Sequence, residues 1–151
     1  MDSEADGARL GTALVDLLTV ALAARLDRRE AVPPDSRQRA LVLRIHAFLE
    51  EQLADPELSP RVIAAAHFIS VRYLHKLFET QGTTVVAWIR QRRLDRCRRD
   101  LLDPGLQTLP VSAIGARWGF IDAVHFNRVF RAAYGIPPGE YRRTGNGSNP
   151  E

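Results

Sequence analysis

Residues 83–103, TTVVAWIRQRRLDRCRRDLLD, decide how this chain is read, because one copy of a repeated pattern lies on each side of them. Val85, Ile89, Cys97 and Leu101 recur at helical spacing with Trp88 and Leu94 beside them, and Arg90, Arg92, Arg93, Arg96, Arg98 and Arg99 fill much of the rest. The spacing predicts a linker helix over 83–103. At about 1.5 Å per residue it would span roughly 30 Å.

Sliding the sequence along itself by 52 residues brings the two copies into register. Val62, Ala64, Phe68, Ile69, Leu74, Lys76, Leu77 and Phe78 then fall on Ile114, Ala116, Phe120, Ile121, Phe126, Arg128, Val129 and Phe130. Past the last phenylalanine the second copy carries one extra residue, so Gly82 pairs with Gly135 and Trp88 with Tyr141. Each copy reads as two short helices and a turn. The predicted fold is all-α: two helix-turn-helix units, about 59–82 and 111–135, joined by the linker helix.

Length and composition set the frame. A chain of 151 residues suits one ordinary domain or two small ones, and a unit of about 50 residues has only a marginal core of its own, so each copy should lean on a shared helix. Hydrophobic residues at 45% and charged residues at 26% describe a globular protein of the cytosol, and the acidic start lacks the bases of a signal peptide. The single cysteine, Cys97, rules out an internal disulfide framework and a multi-cysteine zinc site, and as part of an apolar stripe it reads as a small buried residue. Residues 1–35 hold four Arg against seven Asp or Glu, so the remainder holds 17 basic against 11 acidic residues. The positive part is the duplicated part, which raises the case for a polyanionic partner.

Along the chain, Leu10, Leu14, Leu17 and Ala21, flanked by Leu18, Leu22 and Leu26, predict an amphipathic helix over 8–29. Its wide stripe needs cover, either from the rest of the chain or from a second copy or a further domain. AVPPDS at 31–36 reads as a linker, with Ser36 or Asp35 capping the next helix, predicted over 37–53 from Leu41, Ile45, Phe48 and Leu49. Ser59 and Pro60 open a helix to Phe68, expected to bury Val62, Ile63, Ala65 and Ala66. Ser70 then caps a helix over 71–81, and Asp122 stands at the matching place before a helix over 123–134. A short final helix over 137–143 and a disordered polar tail over 144–151 complete the reading.

Leu74, Leu77 and Phe78 form the inward stripe of the first unit's second helix, leaving Arg72, His75 and Lys76 outward; in the second unit Phe126, Val129 and Phe130 turn in and Val124, His125, Asn127, Arg128 and Arg131 turn out. Such a helix fits the major groove, where base edges carry a distinct code. For a single copy, a solvated amphipathic helix would explain the exposed cations; the duplication favours DNA. Of the six linker arginines, one or two, Arg90 among them, are expected on phosphate and the others on Asp95, Asp100 or solvent. His46, His67, His75 and His125 lack metal-ligand spacing, and no phosphate loop, nucleophile elbow or paired carboxylates stand in context. No metal, cofactor or catalytic residue is expected.

ISVRYLHKLFETQG and, more specifically, IGARWGFIDAVHFNRVFRAAYGIPPGEYR resemble the AraC/XylS family of bacterial transcription regulators, through Gly119, Phe120, Asp122, Phe126, Arg128, Phe130, Gly135, Pro138, Tyr141 and Arg142. The resemblance covers roughly residues 39–143. It implies a DNA-binding domain over 36–143 with base contacts from Arg72, His75, Lys76, Ala123, Val124, His125 and Arg128. Phosphate contacts are expected from Ser70, Arg90, Asn127 and Arg131. The implied partner is double-stranded operator DNA, with RNA polymerase as a further one, a homodimer through residues 8–29, no membrane, and a nucleoid-associated location. Residues 1–35 are then an N-terminal helix and linker, similar to the closing helix of a sensor or dimerisation domain. Two positions depart from the family: Ile121 replaces a small polar residue, and Pro137 a Ser or Thr. Because Ala123 and Val124 offer no hydrogen bonds, the first unit is expected to carry more specificity and the second more affinity. The competing reading is a helical protein-interaction module with only non-specific DNA affinity.

Overall fold

The computed structural model describes residues 14–22 and 33–146, and every described element is helical. The chain divides into two compact units, Met1–Leu43 and Arg44–Glu151. In the first, residues 14–22 form helix, with Leu14, Leu17, Leu18 and Leu22 all more than 60% exposed. The rest of the helix predicted over 8–29 lies outside the described residues.

Helix α1 (Pro34–Gln52) begins earlier than the sequence predicts. Pro34 supplies the preset φ of a first turn, and the Pro33 carbonyl accepts from Ser36 and Arg37 N–H, so Asp35 and Ser36 lie inside the helix and neither caps it. The second unit continues with α2 (Pro60–Ala66), α3 (Val71–Glu79), α4 (Val85–Leu102), a 3-10 turn at Pro104–Leu106, α5 (Val111–Arg117), α6 (Ala123–Tyr134) and α7 (Pro138–Asn146). Ser59, Ser70, Thr84 and Asp122 cap α2, α3, α4 and α6 through their side chains, each worth about 1 kcal/mol. Helix α4 is 18 residues long, so it spans about 27 Å rather than 30 Å. Helix α7 runs on to Asn146, lying so close along α4 that a Cβ on Gly145 would meet the Leu102 side chain. Thr144 and Gly145 therefore belong to a helix and not to a disordered tail; residues 147–151 lie outside the described residues.

The two helix-turn-helix units match, but in a different register from the one the sequence gives. Helices α2 and α5 superpose in sequence at an offset of 51, through caps Ser59 and Pro110 and buried Ile63 and Ile114. The turn hydrogen bond Ile69 N–H to Ala64 O recurs as Phe120 N–H to Gly115 O. Helices α3 and α6 match at 52, with Leu74 and Phe126, and Phe78 and Phe130, all buried. Gly82 and Gly135, both left-handed at φ 75° and 84°, match at 53, and Trp88 packs on Phe78 as Tyr141 does on Phe130.

The identical pairs Ala64 with Ala116, Phe68 with Phe120 and Ile69 with Ile121 are thus out of register. Phe120 is 6% exposed, whereas Phe68 is 97% exposed and left-handed at φ 55°, the place Gly119 occupies at φ 83°. For the same reason α2 buries Ile63 and Ala64, while Val62, Ala65 and Ala66 are exposed.

The core of the second helix-turn-helix unit gathers Leu94, Cys97 and Leu101 of α4 with Ile114, Phe120, Phe126 and Phe130. On the other side, Trp88 of α4 packs against His46 and Phe78. Each unit therefore takes part of its core from α4, as a pair of sub-minimal cores requires.

Candidate nucleic-acid interface

In α3, burial of Leu74, Leu77 and Phe78 fixes the helix rotation. Arg72 and Lys76 are then exposed and His75 half-buried, one polar face of a nine-residue helix. No hydrogen bond or ion pair holds Arg72 or Lys76 among the described residues. Ser70 accepts the Tyr73 N–H at 3.0 Å, so its hydroxyl caps the helix while its own proton stays free to donate outward.

In α6 the buried pair is Phe126 and Phe130, edge to face with ring centroids 5.7 Å apart, and Ala123, Val124, His125, Asn127, Arg128 and Arg131 are exposed. Asp122 Oδ1 accepts from the N–H groups of both Val124 and His125, at 2.8 and 3.1 Å. Those hydrogen bonds, His125 first, hold its carboxyl below the usual carboxylate range. Ile121, 80% exposed, takes no part in capping. An Arg128 guanidinium nitrogen lies 3.1 Å from His125 Nδ1, so these two side chains act as one polar group on the helix face. Asn127 turns its amide nitrogen back to the Ala123 carbonyl at 2.9 Å, which occupies one of its two donors.

The linker arginines divide by partner. Arg92 and Arg96 both reach Glu50 of α1, at 2.5 and 2.8 Å. Burial raises the Glu50 carboxyl, but the hydrogen bonds and charges of the two arginines outweigh it and hold the group below its ordinary value. Arg96 also lies over the Trp118 ring and Arg98 over Tyr134, whose hydroxyl donates to Asp95. Arg93 donates to the backbone carbonyls of Leu53 and Asp55 at 2.9 and 2.6 Å. Arg90 and Arg99 remain exposed and without a hydrogen bond or ion pair among the described residues.

Glu50 is the partner that sequence spacing could not find, because it lies far off in the chain. The expected Asp95 makes only a 3.8 Å contact with Arg92, and Asp100 is 7% exposed and takes the Trp118 indole N–H at 2.8 Å with Arg117 at 3.6 Å.

Arg90 lines a cleft of about 380 Å³ together with Leu58, Pro60, Ile121, Asp122 and His125, so the structure brings one predicted phosphate contact beside one predicted base contact. Asn127, Arg128 and Arg131 meet along a second, open groove beside Gly135 and Pro137. Among the described residues no cluster of His, Cys, Asp or Glu could hold a metal ion, and no helix is long and apolar enough to cross a membrane.

Residues 63–144 match the model of the helix-turn-helix domain family. The chain is 39% identical over 134 residues to the transcriptional activator NphR of a Rhodococcus species, an alignment covering 89% of this chain and 36% of that protein. A transcriptional regulator of Chromobacterium violaceum, described as carrying an AraC-type DNA-binding domain, superposes with a TM-score of 0.65 at 26% identity, over 74% of this chain and 96% of that one. The DNA-binding domain of AdpA, solved with a target DNA, has the same fold: TM-score 0.64 at 24% identity, over 72% of this chain and 96% of that one. This chain spans about a third of the length of the curated relatives it matches. The matched fold and sequence together place it: the chain belongs to the AraC/XylS family of helix-turn-helix regulators.

Proposed function

We propose that this chain is the sequence-specific, double-stranded DNA-binding part of a bacterial transcription regulator, reading two adjacent major-groove segments with α3 and α6. One observation carries the reading. Two units of matching hydrogen-bonded turn and cap each bury the inner stripe of their second helix and leave a cation-bearing face exposed. A duplicated helix-turn-helix suits a duplex that repeats its groove every turn, about 34 Å.

Arg72, His75 and Lys76 are proposed to read base edges from α3, and His125 with Arg128 from α6, where Ala123 and Val124 offer apolar contact to thymine methyls. Ser70, Arg90, Asn127 and Arg131 are proposed on phosphate, positioning without specifying. Function is by binding and not by catalysis, in the cytoplasm on the nucleoid. Residues 14–22, with their leucines exposed, fit a homodimer contact, and RNA polymerase is the further protein partner.

The exposure of Phe68 and Ile121 on the two helix-turn-helix turns favours a second reading, a protein-interaction module with sequence-blind DNA affinity. Selection from a randomised duplex pool at two salt concentrations separates the two. A site with two read segments about one turn apart supports the regulator; a featureless bound pool with steep salt dependence overturns base recognition and favours the interaction module.

A further inference from the structure

Arg93 lies where three parts of the molecule meet. It projects from the middle of α4. Its Nε donates to the Leu53 carbonyl and a terminal nitrogen to the Asp55 carbonyl, both in the turn that follows α1 and leads into the first helix-turn-helix. The same guanidinium lies flat beneath Gly119, in the turn of the second helix-turn-helix: a Cβ there would fall 2.7 Å from Arg93 Cζ and 2.9 Å from both terminal nitrogens.

One planar cation thus bonds the backbone that leads into the first reading unit and lies against Gly119 of the second, and it lines the cleft shared by Leu58, Pro60, Gly119 and Asp122. The other main helix contacts run within each unit or from a unit to α4. Only arginine satisfies this geometry, since its fork can bond two carbonyls while its face lies against a residue without a side chain. Gly119 has a second reason to be glycine in its φ of 83°, but the close approach is independent of that angle.

We propose that Arg93 is a positioning residue that sets the two reading heads relative to each other, and so fixes the spacing between the two DNA segments the chain accepts. The inference rests on the two-segment reading above. Inserting one base pair between the segments moves the second by about 3.4 Å and turns it by roughly 35°. Heads held rigidly by Arg93 cannot follow that displacement; heads tied only through the core of α4 have more freedom. Arg93 touches no DNA in this account, so its removal relaxes spacing without altering which bases each segment prefers.

The test uses the full chain and duplexes carrying the selected two segments with zero, one or two base pairs inserted or removed. For the unaltered protein the expected cost of one inserted pair is about tenfold in affinity or more, as for a mismatched site. Arg93→Ala and Arg93→Lys should retain the base preference of each segment but lower that cost to about threefold or less. Arg99→Ala, which removes a cation of the same helix that has no described partner, should keep it at about tenfold.

A second readout needs no DNA: the distance between spin labels on Glu79→Cys and Glu140→Cys, where Arg93→Lys should broaden the distribution while circular dichroism shows the helices intact. Weaker binding at every spacing with the tenfold penalty preserved overturns the proposal, as does an unchanged label distance. An unaltered protein that selects a single segment defeats the two-segment reading itself, and the proposal with it; a label distance that nonetheless broadens would locate that failure in the reading and not in the Arg93 tie.

Discussion

Replacing Gly115 with alanine tests how tightly the second unit is packed. Gly115 is buried on α5, and a Cβ there would lie 2.7 Å from Cδ1, 2.9 Å from Cγ and 3.1 Å from Cε1 of Phe126. That ring has no exposed surface and is hemmed in by Phe120 at 5.2 Å and Phe130 at 5.7 Å, so it has nowhere to swing. Overpacking a filled core costs about 1–3 kcal/mol, and three ring carbons within contact put this case at the upper end. Removing a helical glycine returns about 1 kcal/mol, leaving a net loss of about 2 kcal/mol.

The first unit shows how the loss can be undone. At the structurally matching places it carries Ala64 and Leu74, a larger residue facing a smaller one. Phe126→Leu alone should cost about 1–2 kcal/mol, well short of truncation to alanine. The double variant, which restores the pairing of the first unit, should lose only about 1 kcal/mol instead of the roughly 3–4 of the sum. Urea unfolding of the full chain measures all three, with an unchanged slope confirming that the unfolded surface is the same. A Gly115→Ala protein stabilised by about 1 kcal/mol, or a strictly additive double variant, would refute the reasoning.

Phe68 buries almost nothing and sits at a positive φ that L residues avoid, so Phe68→Asn should stabilise the fold by about 1 kcal/mol in thermal or urea unfolding. Burial, aided by the Asp100 charge, pushes the Cys97 thiol up to about 12, so iodoacetamide at pH 8 should alkylate the native chain far more slowly than the urea-unfolded one. Burial, with Arg44 nearby, lowers the His67 imidazole below its ordinary 6.5, and its Nε2 is buried without a hydrogen-bond partner among the described residues. The folded chain then binds fewer protons than the unfolded one as pH falls below about 6.5, so this contribution is complete above that pH and is lost on descent through the lowered value; His67→Leu should flatten the pH dependence of unfolding between pH 7 and 5. Arg128→Ala should weaken binding to a selected site by about 1–3 kcal/mol with relaxed preference at one position, as titration against that site and its variants would show; an equal loss on every sequence would assign it to phosphate.

The helices were legible because their apolar positions recur and their caps are chemically marked: Ser59, Ser70 and Asp122 stand where the structure places caps, whereas Thr84, expected inside the linker helix, caps it. The register of the duplication was not, because identity misled. Phe68 and Phe120 share a letter, yet one lies on a turn in water and the other in the core, since the second copy takes one residue more to leave its first helix and reach its second. A glycine at φ 83° and a phenylalanine at φ 55° perform the same bend, and nothing in the sequence announces that a phenylalanine will do so. The outward placement of Arg72, Lys76, Arg128 and Arg131 follows from helical spacing alone. The fates of the linker arginines do not: Glu50 and the Leu53 carbonyl become partners only when α1 is laid against α4. Backbone acceptors carry no sequence signal at all.

The sharing of α4 limits how such a chain can be recombined. Trp88 on its early turns closes against His46 and Phe78, while Leu94, Cys97 and Leu101 complete the cluster around Phe126 and Phe130. A crossover that parts Trp88 from the first flank, or that falls among Leu94, Cys97 and Leu101, splits one of these packing surfaces, so a chimera cut there inherits mismatched side chains on that flank. Functional hybrids between relatives should therefore arise from exchanges that leave each stretch of α4 with the flank it packs against.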